Sequence, residues 1–207
     1  MKRFSMLMAV LCISTAALAQ KADVAFTIGG SFVSDTQQLV FLPPALGSSN
    51  TAALHTDHHY FLEGTLGARM LNAHLASLHL EVPVAGIPSQ RVSFSDTAST
   101  FVSHISTVFV TPSLRLKLAP VAPISPWVSV GGGWARYAAD SGNNSNKAAL
   151  QFGGGLDFKT GLPLLGFRAE VRDFVTGDPD LNIVQLANSS GLHHHNILAG
   201  GGIVLRF

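Results

Sequence analysis

Charged side chains occupy every second position in several apolar segments of this chain. In the clearest example, Arg168, Glu170 and Arg172 alternate with bulky apolar residues, a spacing that fits no helix face. Alternate residues of a strand share one face, so these charges can form ion pairs or line an ion path. The residues that the alternation assigns to this charge network are Glu63, Arg69, Glu81, Arg115, Lys117, Asp157, Lys159, Arg168, Glu170, Arg172 and Arg206.

The charge network has two interpretations. An isolated buried ion is very costly, so charges enclosed by apolar segments must pair or be hydrated. We favour a structural core of salt bridges. The alternative is an ion path or gate, in which seven basic groups against four acidic ones would give a weak preference for anions.

Histidines cluster near the ends of two of these segments. His55, His58 and His59 stand beside Asp57, and His193 begins a run of three histidines. Imidazole groups at this density can bind zinc, copper or nickel, but no regular ligand spacing accompanies them. Consecutive residues of a strand also point to opposite faces. We therefore predict an exposed polar rim, with no bound metal and no cofactor.

Motifs of catalysis are missing from the sequence. It contains no Gly-x-Ser-x-Gly nucleophile elbow, no phosphate-binding glycine loop and no His-Glu-x-x-His zinc motif. Serine, histidine and acidic residues are all present, but at no diagnostic spacing. We expect that the chain is not an enzyme.

The first residues have the pattern of a secretion signal. Met1-Lys2-Arg3 supplies a positive start, an apolar run follows, and Ala17-Leu18-Ala19 is a cleavage site. The apolar run is too short for a membrane-spanning helix, which needs roughly 20 residues. We predict a cleaved signal peptide over 1–19 and one domain over 20–207. Cleavage would also remove Cys12, the single cysteine.

Charge and hydropathy narrow the class of protein. Without Lys2 and Arg3, eleven lysines and arginines stand against twelve aspartates and glutamates, so the basic footprint of a nucleic-acid-binding protein is missing. Only 12% of residues are charged and 47% are hydrophobic, whereas about 25% are charged in an average soluble domain. Since the apolar residues are not grouped into long runs, they must be distributed by alternation, which favours strands.

Eight alternating segments predict an all-β fold. Crossing a bilayer takes roughly 9 to 11 residues of a tilted strand, and an even number of strands suits a single-chain bacterial barrel. We predict an eight-stranded antiparallel up-and-down transmembrane β-barrel, closed by pairing of the first and last segments. The segments are 22–32, 59–69, 77–84, 107–118, 128–135, 150–159, 165–172 and 196–207.

Connections of alternating length predict the orientation of the barrel in the membrane. Short periplasmic turns are predicted near 71–73, 119–126 and 160–163, and long outer loops over 34–57, 86–103, 138–147 and 177–193. Aromatic residues fall near both rims, where interfacial girdles are expected. They are Phe32, Tyr60, Trp134 and Phe152 at the outer rim, and Trp127, Phe158, Phe167 and Phe207 at the periplasmic rim.

The last residues of the sequence carry a family resemblance. Gly202-Ile203-Val204-Leu205-Arg206-Phe207 alternates and stops on an aromatic residue. In this respect the chain resembles the small bacterial outer-membrane β-barrels, such as the transmembrane domains of outer-membrane proteins A and X. The resemblance implies an assembly signal formed by Gly202, Leu205 and Phe207, which the barrel-assembly machinery would recognise during biogenesis.

The resemblance leaves the function open, because the family includes structural proteins, adhesion or defence factors, narrow pores and lipid-modifying enzymes. We expect a non-enzymatic integral protein of the Gram-negative outer membrane with a structural or loop-mediated interaction role. The alternatives are a narrow pore with a charged lumen and a lipid A-modifying enzyme. The expected surroundings are outer-membrane lipid and lipopolysaccharide, and we expect a monomer.

Overall fold

The computed structural model describes residues 22–33, 53–56, 59–95, 100–140, 144–177 and 193–207. The predicted signal peptide, His58 and most of the predicted loops over 34–57 and 177–193 lie outside these residues. In the described part of the chain, no helix is long and apolar enough to span a membrane.

The described residues form ten β-strands that belong to one sheet. Every pairing between neighbouring strands is antiparallel. The strands are β1 (Ala22–Val33), β2 (Ala53–Thr56), β3 (His59–Asn72), β4 (Ala76–Ser95), β5 (Thr100–Val110), β6 (Ser113–Leu118), β7 (Ile124–Ala139), β8 (Ser145–Lys159), β9 (Leu165–Gly177) and β10 (His193–Arg206).

Across the described ranges, these ten strands make an eight-stranded barrel. β5 and β6 are two halves of one barrel strand, because both pair with β4 on one side and with β7 on the other. The interruption includes Pro112, which has no backbone N–H to donate to a ladder. β2 precedes β3 and pairs with the far end of β4, the same strand that β3 pairs with. The eight-stranded architecture predicted from the sequence is confirmed.

Pairing of the first and last strands closes the barrel. β1 and β10 are antiparallel from Asp23 opposite Arg206 to Val33 opposite Asn196. Beyond this ladder, the Phe207 N–H donates to the Ala22 carbonyl at 2.9 Å. Closure satisfies the backbone groups of both edge strands, which lipid could not do. The predicted closure is therefore confirmed.

The outer surface of the barrel is apolar. Phe26, Ile28, Leu66, Val128 and Leu150 each expose more than half of their surface, while the residues between them on each strand point inward. A continuous apolar belt of this kind is unfavourable in water but matches the hydrocarbon of a bilayer. The fold is thus a transmembrane barrel of the outer-membrane type, as the alternation predicted.

One predicted loop is mostly strand. The sequence analysis assigns 86–103 to a long outer loop, but β4 continues to Ser95 and β5 begins at Thr100. A shift of register between Ile87 and Gln90 lets the pairing of β4 with β5 continue. The alternation was too irregular here to indicate a strand, because a bulge moves later residues to the opposite face.

Trp127 does not belong to the periplasmic girdle. Its side chain lies in the lumen with 2% of its surface exposed, because its neighbour Val128 takes the lipid-facing position. Leu198 and Val204, apolar residues on the otherwise small or polar face of the last strand, also point inward and are buried. The lumen therefore holds large apolar groups as well as charges.

Candidate functional site in the barrel lumen

Two layers of side chains fill the lumen between the described strands. The charge layer lies toward the short turns, and the aromatic layer lies on the side of the long loops. The charge layer consists of Asp23, Glu63, Glu81, Arg115, Lys117, Asp157, Arg168, Glu170 and Arg172 around Trp127. The aromatic layer consists of Phe61, Ile87, Phe109, Tyr137, Phe174 and Leu198.

Arg172 is the centre of the charge layer. Its Nε lies 3.0 Å from Glu63 Oε1, its Nη1 2.9 Å from Glu81 Oε1 and its Nη2 3.2 Å from Glu170 Oε2. Glu170 belongs to the same strand, whereas Glu63 and Glu81 come from β3 and β4 on another part of the wall. One buried guanidinium therefore ties β9 to two other strands through charge-assisted contacts.

Arg115 extends the same network toward β1. Its Nη1 lies 3.0 Å from Glu81 Oε2, and its Nη2 lies 2.5 Å from Asp23 Oδ2. Glu81 is thus shared between Arg115 and Arg172, and all three side chains are fully buried. Because water does not reach these groups, each charge depends on its partners for stabilisation.

Asp157 gathers cations from three strands. Arg168 Nε lies 2.8 Å from its Oδ1, Lys117 Nζ lies 2.5 Å from its Oδ2, and Arg206 Nη2 lies 4.0 Å from the same oxygen. Asp157 and Arg168 face each other directly in the β8–β9 ladder. Such directly opposed charges stabilise a strand pair, and here they also fill the lumen.

Trp127 packs among the three arginines of the charge layer. The guanidinium carbons of Arg168 and Arg172 each lie 5.1 Å from the centre of its ring, and that of Arg115 lies 5.9 Å away. These are cation–π distances. Gly155 makes room for the indole, since a Cβ at this position would lie 2.7 Å from the ring. Gly155 of the glycine-rich run in β8 therefore serves the packing of the lumen.

The structure divides the predicted charge network in two. Glu63, Glu81, Arg115, Lys117, Asp157, Arg168, Glu170 and Arg172 meet in the buried charge layer. Arg69, Lys159 and Arg206 lie at the mouth beside the short turns, which is the predicted periplasmic end, and keep some exposure. There, Lys159 Nζ donates to the Pro120 carbonyl at 2.6 Å.

Two members of the charge layer were absent from the predicted network. Asp23 stood on the inward face of its segment, so the alternation already contained the signal that it pairs inside. Trp127 is followed by Val128 and Val130 at alternate positions, and both valines face outward. Its place in the alternation therefore indicated, in the same way, that its side chain lies in the lumen. What the sequence could not indicate is that Trp127 contacts arginines from β6 and β9.

The aromatic layer was not predicted at all. Phe109 stacks on Phe174 with ring centres 4.6 Å apart and meets Tyr137 edge-on at 6.3 Å. The Tyr137 hydroxyl lies 2.7 Å from Thr176 Oγ1, which satisfies its polar end. Phe61 completes the layer and is fully buried. Phe61 and Phe109 have apolar neighbours on both sides, so alternation did not reveal their direction. Tyr137 and Phe174 lie just beyond the predicted segments that end at 135 and 172.

The described histidines occupy separate places. His195 Nδ1 lies 2.7 Å from Asp173 Oδ2. Both residues alternate with inward-facing residues, so the pair lies on the lipid-facing side of the barrel wall. His104 Nδ1 lies 3.2 Å from Ser89 Oγ, near the outer end of β4 and β5. Among the described residues, no group of three potential metal ligands comes together.

Comparisons with known proteins bear on the fold. No protein-family model matches the chain, and no curated protein matches it. The outer membrane protein OprG from Pseudomonas aeruginosa matches with a TM-score of 0.58 and 11% identity, over 91% of this chain and 96% of that one.

Two further solved structures are similar over most of their length. Neisserial surface protein A has a TM-score of 0.48 and 15% identity, over 90% of this chain and 97% of that one. The outer membrane enzyme PagL has a TM-score of 0.40 and 12% identity, over 87% and 97%. The likeness to OprG shows that this chain has the fold of the small bacterial outer-membrane barrels.

Proposed function

We propose that this outer-membrane barrel is a non-enzymatic protein with a closed lumen, which acts as a structural component or through its outer loops. The observation that carries the proposal is the double closure of the lumen by the charge layer and the aromatic layer. An eight-stranded barrel is just wide enough to be filled by side chains, and here the filling reaches across the lumen at both levels.

Contacts between distant strands support a structural role for the lumen. Arg172 on β9 holds Glu63 on β3 and Glu81 on β4, and Arg115 on β6 holds Asp23 on β1. Each contact would have to break before an ion could pass. Under this proposal the outer loops meet the surroundings, with outer-membrane lipid and lipopolysaccharide as neighbours and a monomer as the working form. Assembly would use Gly202, Leu205 and Phe207.

A narrow pore is the second candidate function. Within the described lumen, Glu63 Oε2, Glu170 Oε1 and Arg168 Nη1 are buried without a hydrogen-bond partner. Groups of this kind attract water, so the charge layer could serve as a gate. The aromatic layer weighs against a pore, because its apolar side chains offer no polar groups to a passing ion.

A lipid A-modifying enzyme is the third candidate. Asp173 and His195 supply a carboxylate–imidazole pair on the lipid-facing side near the outer end of the barrel. Among the described residues, no hydroxyl hydrogen-bonds to His195, so the nucleophile of a catalytic trio is not identified. A mass spectrum of lipid A from cells that produce the protein, compared with cells that produce His195→Ala, distinguishes this candidate from the other two.

Planar-bilayer recordings test the proposal against a pore. We expect no stable conductance from the purified protein. We also expect none from Glu170→Ala, because the aromatic layer still closes the lumen after the charge layer is disturbed. Val171→Ala is the matched control, since Val171 is the next residue of β9 and faces lipid.

Each protein is first checked for heat-modifiable migration on gels, which reports a folded barrel. A stable current from the unmodified protein would contradict the closed lumen. A current that arises in Glu170→Ala and not in Val171→Ala would show that the charge layer is a gate.

A further inference from the structure

A pocket opens at the periplasmic mouth of the barrel, outside the charge layer. It has a volume of about 110 Å³ and lies between the periplasmic ends of several strands. A buried site needs only about 10–15 Å³ to hold one water molecule, so this mouth pocket has room for a small polyatomic ion with water. The polar side chains that matter for its chemistry are Asp23, Arg69, His79, Lys117, Lys159 and Arg206.

Positive charge dominates the mouth pocket. Arg69, Lys117, Lys159 and Arg206 line it, against the carboxylate of Asp23. That carboxylate is already engaged, since its Oδ2 lies 2.5 Å from Arg115 Nη2 and 3.6 Å from His79 Nδ1. Lys117 is also engaged, since its Nζ lies 2.5 Å from Asp157 Oδ2. The described lining therefore retains the cations of Arg69, Lys159 and Arg206 without a side-chain carboxylate of the lining that neutralises them.

Arg206 has donors that the protein does not use. Its Nε and Nη2 are buried and have no hydrogen-bond partner, although Nη2 lies 4.0 Å from Asp157. The guanidinium lies against Gly166, where a Cβ would come within 2.7 Å of Nη2. The glycine thus allows the guanidinium to pack against the barrel wall. Buried donors of a charged group that have no partner are costly unless an acceptor reaches them.

The neighbouring cations also keep donors available. Lys159 Nζ has three N–H groups, and one of them serves the Pro120 carbonyl. Arg69 belongs to none of the ion pairs between described side chains. Ammonium and guanidinium groups that converge on one small space match the oxygens of a phosphate group.

We propose that the mouth pocket is a binding site for a phosphate-type oxyanion. Arg206 and Arg69 donate to its oxygens through their guanidinium groups, and Lys159 adds a third positive charge at the rim. Two sources present this chemistry at the periplasmic face, namely free phosphate and the headgroup of a phospholipid of the inner leaflet. The site does not depend on whether the outer loops bind a partner.

Titration of the folded protein with inorganic phosphate in a neutral maltoside detergent tests the free-ion source. Calorimetry compares the unmodified protein with the double variant Arg69→Gln/Lys159→Gln. We expect the double variant to bind at least about tenfold more weakly, because two charged donors are removed. Arg69→Lys/Lys159→Arg keeps both charges and should bind nearly as well as the unmodified protein. Arg136→Gln is the control, since this exposed arginine lies toward the opposite end of β7.

A second measurement tests the headgroup source. Native mass spectrometry counts phosphatidylglycerol molecules retained after extraction from vesicles of phosphatidylcholine with phosphatidylglycerol, for the same four proteins. Retention that falls in the Arg69→Gln/Lys159→Gln variant alone identifies the headgroup as a ligand. Binding of phosphate without such retention identifies the free ion.

The proposal is overturned if the unmodified protein binds neither probe. It is also overturned if the glutamine double variant binds both as tightly as Arg136→Gln does. Gel migration verifies that every variant is folded, and Lys159→Gln alone, at an exposed position, replaces the double variant if that one does not fold.

Discussion

The charge layer and the aromatic layer close the same lumen by different physical means. In the charge layer, Arg172 and Arg115 hold three acidic side chains from three strands through contacts of 2.5 to 3.0 Å. In the aromatic layer, Phe109, Phe174 and Tyr137 rely on ring packing, with hydrogen bonds at the Tyr137 hydroxyl. The first layer depends on direction and pairing, and the second on shape and volume.

This difference predicts how each layer fails. Removing one partner of a buried ion pair leaves a charge without compensation, which costs more than the lost contact itself. Removing an aromatic ring leaves a cavity, and its cost depends on how far the neighbours relax. A substitution in the charge layer and a separate substitution in the aromatic layer therefore allow the stabilising effects of the two layers to be compared directly.

The largest effect is expected from Arg172→Ala. The substitution leaves Glu63, Glu81 and Glu170 close together without their shared cation, so the loss should reach or exceed the top of the range of about 3–5 kcal/mol for a broken buried pair. Urea unfolding in lipid vesicles, followed by tryptophan fluorescence, measures the free energy of unfolding. Val171→Ala on the lipid-facing side is the control. A loss no greater than that of the control would mean that the ion pairs do not stabilise the barrel.

A smaller loss is expected from Phe109→Ala. The ring contacts both Phe174 and Tyr137, and its removal should cost about 3–5 kcal/mol, toward the lower end because these two rings can move into the space. The same unfolding measurement applies, with the outward-facing Val108→Ala as the control. If Phe109→Ala proves more harmful than Arg172→Ala, packing outweighs charge pairing in this lumen.

The smallest of the three effects is expected from Gly155→Ala. The added methyl group would lie 2.7 Å from the Trp127 ring and closer still to the Ala169 carbonyl oxygen, and overpacking of this kind costs about 1–3 kcal/mol. Gly154→Ala is a close control, because the nearest atom to its Cβ would be the Trp127 carbonyl oxygen at an ordinary 3.5 Å. Equal stability of the two variants would show that Gly155 is not needed to seat the indole.

Much of the fold could be predicted from local sequence patterns. Alternation along a strand depends only on neighbouring residues, so the inward direction of Arg168, Glu170 and Arg172 followed from their spacing. The same rule placed Asp157 and Arg168 side by side across a short turn, as the register shows. It failed where a bulge shifted the register after Ile87, since one inserted residue reverses the faces of everything that follows.

The sequence by itself determined the number of barrel strands, the apolar outer face and the set of charges that turn inward. The tertiary structure alone decided which charges meet, because Arg172 reaches Glu63 and Glu81 only after the sheet has curled and β1 has paired with β10. It also decided that Phe109 and Phe174 face each other as a second layer. Alternation is a local property of the backbone, whereas contacts across a lumen depend on strand stagger and closure, which no single segment encodes.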